Sequence, residues 1–154
     1  MGKLRVLVVD DAEWIRRGLR AILEEMLEGF VVAGQAENGV QALNLLQSQE
    51  FDLAIVDIRM PDMDGIELMR TMRARGLEIP LVVLSGYDDY QYMRAAINSG
   101  VADYLLKPVN RLEFSEVMLK LKQRLTKADS DEQANAQGNQ REIYLVRQIR
   151  QIVA

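Results

Sequence analysis

The side chains best equipped for chemistry in this sequence share one setting: each directly follows a short, largely apolar run, Asp10 and Asp11 as a pair. Asp10 and Asp11 follow residues 4–9, Asp57 follows 53–56, Ser85 follows 81–84 and Lys107 follows 104–106. Three carboxylates, one hydroxyl and one ammonium point to a particular kind of reaction. Crowded carboxylates repel, raising at least one pKa unless a cation neutralises them. Oxygen donors without imidazole or thiolate favour Mg²⁺, which keeps several waters and takes a few carboxylates plus phosphate oxygens. A carboxylate beside such a cation can attack a phosphoryl donor and form an aspartyl phosphate. The lysine and the hydroxyl would then neutralise and hydrogen-bond the transferring oxygens. Asp57 stands alone at its strand end and makes the better nucleophile, while the adjacent Asp10 and Asp11 suit the metal.

Missing residue types narrow the chemistry further. The 154 residues contain neither Cys nor His, which excludes disulfides, thiolate catalysis, imidazole metal sites and histidine-dependent triads. The chain therefore cannot itself carry a phosphohistidine. Net charge is −4, unevenly spread: residues 1–110 hold 11 Lys and Arg against 17 Asp and Glu, and residues 111–154 hold 8 against 6. An acidic body argues against binding a nucleic-acid backbone and suits a site that gathers a cation. No signal-peptide apolar region and no 18-residue apolar run is present, so a cytoplasmic protein without membrane attachment is expected.

These groups can act together only if a scaffold brings the ends of the apolar runs to one rim. Residues 4–9 read as a strand buried on both faces of a parallel sheet. Ile15, Leu19, Ile22 and Met26 then recur at helical spacing. Further strands are predicted at 30–36, 53–56, 81–84 and 104–106. Helices fall between them at 40–47, around Ile66, Met69 and Met72, at 90–99 with Met93, Ala96 and Ile97 inward, and at 112–125 with Val117, Leu121 and Leu125 in line. Five strands alternating with five helices specify an α/β fold, a doubly wound parallel sheet with helices on both faces. Such sheets bind ligands beyond the carboxyl ends of their strands, where strand order reverses. This domain is expected over residues 1–127, followed by a polar linker at 128–140. An amphipathic helical tail at 141–154 then carries Ile143, Val146, Ile149 and Val153.

Each residue also has a plainer role open to it. Asp10-Asp11 before a helix suits N-capping, Asp57 a turn at a strand end, Lys107-Pro108 a strand terminator and Ser85 an ordinary turn hydroxyl. Tyr104 suits a core or edge aromatic, and Trp14, Tyr87, Tyr90 and Tyr92 suit packing or partner contact. Asp62-Met63-Asp64 has the Asp-x-Asp form of some aspartyl-phosphate phosphatases, but Pro61 puts it in a loop instead of at a strand end. The joint occurrence of Asp10, Asp11, Asp57 and Lys107 at one rim favours function over these roles.

Val-Val-Asp-Asp at 8–11, Asp57 with Met-Pro-Asp-Met-Asp-Gly at 60–65, Ser85-Gly86 and Tyr-Leu-Leu-Lys-Pro at 104–108 together resemble the response-regulator receiver family, over residues 4–126. The resemblance implies a flavodoxin-like fold with strand order 2-1-3-4-5. It implies Asp57 as phosphoacceptor, and Mg²⁺ held by Asp10, Asp11, Asp57 and the backbone carbonyl of Arg59. Lys107 and Ser85 would stabilise the phosphoryl group, and Ser85 and Tyr104 would form a switch pair. Gly65 and Pro108 would be structural, with the peptide before Pro108 cis. Because the chain has no His, the phosphoryl group would come from a separate sensor histidine kinase. The chain would be a phosphoacceptor switch, not an enzyme, changing the surface of helix four, strand five and helix five and forming a homodimer on activation. Ser-Gly-Tyr-Asp-Asp at 85–89 and Lys-Pro-Val at 107–109 are similar to receivers joined to AraC-type DNA-binding domains. A transcription output is therefore expected, with DNA contacted only through an output domain outside this chain. Ala12, where the family often has an acid, and the long cation of Arg59 are departures. Two other functions compete: a stand-alone phosphorylation-dependent interaction module and a Mg²⁺-dependent aspartyl-phosphate phosphatase.

Overall fold

Five apolar runs become five parallel strands: β1 (Leu4–Val9), β2 (Phe30–Ala36), β3 (Leu53–Asp57), β4 (Leu81–Ser85) and β5 (Asp103–Leu106), ordered β2-β1-β3-β4-β5. The computed structural model describes residues 2–86 and 90–134. The helices are α1 (Glu13–Ala21), α2 (Gly39–Ser48), α3 (Gly65–Ala74), α4 (Tyr90–Asn98) and α5 (Arg111–Ala134). The chain divides into two units, Met1–Arg111 and Leu112–Ala154.

Within the first unit the sheet is buried on both faces, which is why its central strands carry almost no polar residue. Leu7, Val9, Ala54, Val56, Leu81 and Val83 join one cluster with Leu43 and Leu46 of α2, Leu68, Met69 and Met72 of α3 and Ala96 of α4. Alternate strand positions point the other way. There Val6, Val8, Ile55, Val82 and Leu84 are buried as well, and α1 with its extension adds Leu19, Ile22 and Leu23. Each buried Val, Leu, Ile or Met among these stabilises the fold by roughly 1.5–3 kcal/mol relative to exposure.

Helix starts follow local chemistry. The Asn38 carboxamide accepts the Gln41 N–H at 2.9 Å to open α2, and the Asp64 carboxylate accepts the Glu67 N–H at 2.9 Å to open α3. Gly76 and Gly100, with φ of +74° and +81°, follow the ends of α3 at Ala74 and α4 at Asn98, as left-handed residues that close helices commonly do.

Three helical stripes differ from expectation. After Ala21 the chain makes one π-helical turn, Ile22–Met26, with the Leu27 N–H bonded to the Ile22 carbonyl at 3.0 Å. The wider turn changes the facing of the residues that follow, so Leu23 is buried and Met26, expected inward, is exposed. On α4, Ala96 is buried but Ile97 lies outside. On α5 the buried residues are Phe114, Met118 and Leu121; the stripe is centred one turn earlier than Val117, Leu121 and Leu125 suggest.

The second unit, over its described part, is this helix. It continues to Ala134, into the stretch 128–140 whose composition predicts a linker. The segment lacks large apolar residues, yet no Gly or Pro interrupts it before Gly138, and its Ala, Glu and Gln are helix formers. Residues 135–140 and the expected tail helix at 141–154 lie outside the described residues, as do residues 87–89. Among the described residues no helix is long and apolar enough to cross a membrane.

Candidate functional site

Strand order reverses between β1 and β3, the point at which open parallel sheets bind ligands. Val9 pairs with Val56, so Asp10 and Asp57, each one residue further on, end their strands at the same level. Carboxylate oxygens of Asp10, Asp11 and Asp57 lie within 4.8 Å of one another. Asp10 and Asp57 are buried and Asp11 is exposed, giving a closed floor with one open lip.

Lys107, just beyond β5, reaches across to this group. Its Nζ lies 2.9 Å from Asp10 Oδ2 and 3.1 Å from Asp57 Oδ2. Asp10 is held at every polar atom. Its N–H donates to the Ala36 carbonyl at 3.0 Å, its carbonyl accepts from Arg16, and its Oδ1 accepts the Ala12 N–H at 2.9 Å. The N-cap position of α1 is Ala12, without a side-chain cap, so neither aspartate serves as the helix cap that its sequence position allowed.

The electrostatics follow from this crowding. Burial and the charge of Asp10 push the Asp57 carboxyl up to about 6, against the opposing pull of Lys107 and the Arg59 N–H. Burial works against the charged form of Lys107, but its bonds to Asp10 and Asp57 outweigh that and raise its pKa. An all-carboxylate set is the donor chemistry of a hard divalent cation, and Asp10, Asp11 and Asp57 fit Mg²⁺ on that ground.

The remaining expected residues are placed as follows. Ser85 is fully buried at the end of β4, its hydroxyl donating to the Met93 sulfur at 3.7 Å. Tyr104 packs, partly buried, against the main core cluster. The Lys107–Pro108 peptide is cis. Arg59 contributes a backbone N–H to the Asp57 carboxylate. Asp64 is occupied as the α3 cap and Asp62 sits in the loop with φ +66°, so the Asp-x-Asp pair does not join the carboxylate cluster. Trp14 is 75% exposed, which removes core packing as its role.

Gly65 has a steric reason to be glycine. Its N–H bonds to the Ile58 carbonyl at 2.8 Å, and a Cβ there would lie 2.6 Å from the Asp57 carbonyl oxygen and 2.9 Å from Ile58 Cα. Backbone cannot swing aside as a flexible side chain can. Gly65→Ala is therefore expected to destabilise the fold by about 1–3 kcal/mol and to displace Asp57. Denaturant titration together with divalent-cation binding checks this; unchanged values for both would show that the loop yields freely.

Arg16 and Met93 are neighbours of the site that sequence patterning misses. Met93 reads only as an inward apolar residue. Arg16 carries a detectable signal, a cation one residue after Ile15 and three before Leu19, within the apolar face of α1.

Comparison with known proteins places the whole arrangement. The sequence profile described as "Response regulator receiver domain" matches residues 6–119. An uncharacterized response regulatory protein of Staphylococcus epidermidis is 37% identical over 121 residues, covering 79% of this chain and 47% of that protein. The transcriptional regulatory protein HptR of Staphylococcus aureus is 36% identical over 126 residues, covering 82% and 49%. The chain thus spans about half the length of these relatives. Among solved structures, the receiver domain of AraT, a response regulator from Geobacillus stearothermophilus, superposes with a TM-score of 0.75 at 36% identity, covering 82% of this chain and 98% of that one. The signal receiver domain of the putative response regulator NarL from Mycobacterium tuberculosis gives 0.71 at 31%, covering 79% and 97%. With its sheet order, its strand-end carboxylates and two thirds or more of its length matched in this way, the chain belongs to the response regulator receiver domain family of two-component signalling.

Proposed function

We propose that Asp57 accepts a phosphoryl group from the phosphohistidine of a separate sensor histidine kinase, in a Mg²⁺-dependent reaction that controls an output domain outside this chain. The observation that carries this is the Asp57 carboxylate itself: buried, beside Asp10, and bonded to a lysine that can follow the charge. At neutral pH a carboxyl titrating near 6 is largely ionised and nucleophilic.

A carboxylate oxygen of Asp57 forms the new bond to phosphorus as the phosphorus–nitrogen bond of the donor breaks, its electron pair leaving with the imidazole. Asp10, Asp11, Asp57 and the Arg59 carbonyl would hold Mg²⁺, which would supply neutralisation of the phosphoryl oxygens. Lys107, 3.1 Å from Asp57, turns its ammonium to a phosphoryl oxygen. The Ser85 hydroxyl leaves the Met93 sulfur to donate to another, and Tyr104 moves with it, altering the α4 and β5 surface. An apolar groove of about 650 Å³ runs from Lys107 past Pro108 and Val109 to Trp14 and Gly18 of α1. It gives a phosphodonor protein a surface beside the reacting carboxylate.

A cytoplasmic setting, a homodimer on activation and a transcription output complete the proposal. HptR is a transcriptional regulatory protein about twice the length of the matched region, which leaves room there for a DNA-binding part.

Intact-mass measurement after incubation with acetyl phosphate and Mg²⁺ tests the chemistry. A single phosphoryl adduct is expected on the wild type, and none on Asp57→Asn or when Mg²⁺ is chelated. No adduct on the wild type, or an equal one on Asp57→Asn, would overturn the assignment.

A further inference from the structure

Four polar or charged residues are buried among the described residues: Asp10, Asp57, Ser85 and Arg16. Three of them form the site, and the fourth lies directly behind it. Arg16 Nη1 donates to the Asp10 carbonyl at 2.5 Å, its Nε donates to Gln35 Oε1 at 3.2 Å, and its Nη2 lies 3.9 Å from Glu37 Oε1. The Asp10 carbonyl belongs to the peptide that joins Asp10 to Asp11. One guanidinium, anchored at the end of β2, therefore grips the peptide from which both carboxylates of the metal pair hang.

Satisfying one carbonyl does not require a buried cation, and withdrawing a guanidinium from water is costly. The rigid fork of an arginine does something that water or a lone N–H cannot: it fixes the orientation of the peptide against two further anchors. We infer that Arg16 is a positioning residue for the divalent-cation site, setting the geometry of the Asp10-Asp11 turn and hence the preference for Mg²⁺ over Ca²⁺. This rests on the assignment of the carboxylate cluster as a Mg²⁺ site.

The two cations respond differently to a loosened turn. Mg²⁺ requires near-octahedral oxygens at about 2.0–2.1 Å, whereas Ca²⁺ accepts six to eight oxygens at about 2.3–2.6 Å in flexible arrangements. Lost positioning should therefore penalise Mg²⁺ far more than Ca²⁺. If Arg16 acted only through its charge, the opposite sign would follow, since removing a cation near three carboxylates tightens both ions. A merely structural part would weaken both alike.

Calorimetric titration of the full chain with Mg²⁺ and with Ca²⁺ separates these cases. Arg16→Met is expected to raise the Mg²⁺ Kd about 10-fold and the Ca²⁺ Kd less than about threefold. Arg16→Lys, which keeps the charge and a donor, should recover part of the Mg²⁺ affinity. Gln35→Ala removes one anchor from an exposed position and should give the same selectivity change on a smaller scale, which keeps the test decisive if Arg16→Met fails to fold. Equal weakening for both cations across the variants that fold, or tightening of both, would overturn the positioning role. Absence of binding by either cation to the wild type would instead overturn the site assignment beneath it.

Discussion

Lys107→Met is expected to lower the rate of phosphorylation by acetyl phosphate about 10²–10³-fold and to weaken the cation-free protein by about 2–4 kcal/mol. The lysine is the positive group that faces both buried carboxylates, at 2.9 Å from Asp10 and 3.1 Å from Asp57. Removing it leaves two ionised groups close together with less to offset their repulsion. The Asp57 carboxyl, already at about 6, should move higher because a charge that lowers it is gone. Added Mg²⁺ should restore much of the stability, since a divalent cation answers the same repulsion. It should not restore the rate, because the ammonium that follows the transferring oxygens is absent. Lys107→Arg serves as the control for charge without the compact donor. Rapid-mixing phosphorylation kinetics, paired with urea titrations in EDTA and in Mg²⁺, measure both effects. A wild-type rate in Lys107→Met would remove the lysine from the chemistry.

Asp57→Asn should make the cation-free protein more stable at neutral pH, by roughly 1–3 kcal/mol. The sign follows from proton binding. Asp57 titrates at about 6 in the folded chain against an ordinary 3.8, so between these pH values the folded state holds more protons than the unfolded state. Stability contributed by this group is therefore greatest at low pH and falls as pH rises through the window from 3.8 to about 6. The stability difference between Asp57→Asn and wild type should be near zero at the acid end, grow through the window and level off above it. Mg²⁺ should shrink it, because a ligand that binds the folded wild type more tightly than the variant stabilises the wild type more. Urea titrations of both proteins from acid to neutral pH in EDTA would show this profile. A difference independent of pH would mean that Asp57 is not strained by its surroundings. On the proposed function, such a penalty is what a site arranged for a cation and a phosphoryl group would carry without them.

Much of this site was legible because its signals are local. A strand buried on both faces must be apolar along its whole length, so the polar residue that ends it stands out. That holds for Asp10, Asp57 and Ser85, which the sheet order β2-β1-β3-β4-β5 brings to one rim with Lys107 from the edge strand β5. Gly65 stood out only as part of a loop motif, and its reason, 2.6 Å from a would-be Cβ to the Asp57 carbonyl oxygen, needed the fold. The exposure of Met26 was hidden for a different cause. Helical spacing assumes a uniform turn, and a single π-helical turn breaks that assumption without a marker in residue types.

What the sequence by itself determined is the fold class, the identity of the strand-end groups and the exclusion of histidine and cysteine chemistry, because these depend on composition and on patterns within one segment. Only the tertiary structure decided which groups are buried and what each one faces. Arg16 shows in the sequence only as a cation beside the apolar face of α1, and its partners, Gln35 of β2 and the Asp10 carbonyl, appear with the fold. Met93 reads as core until the Ser85 hydroxyl is found against its sulfur. Burial and pairing are set by residues distant in the chain, and for a charged or polar group they change the energy of its environment. The carboxyl of Asp57 is ordinary along the sequence and is pushed up to about 6 by burial and by Asp10, against the pull of Lys107, from 47 and 50 positions away.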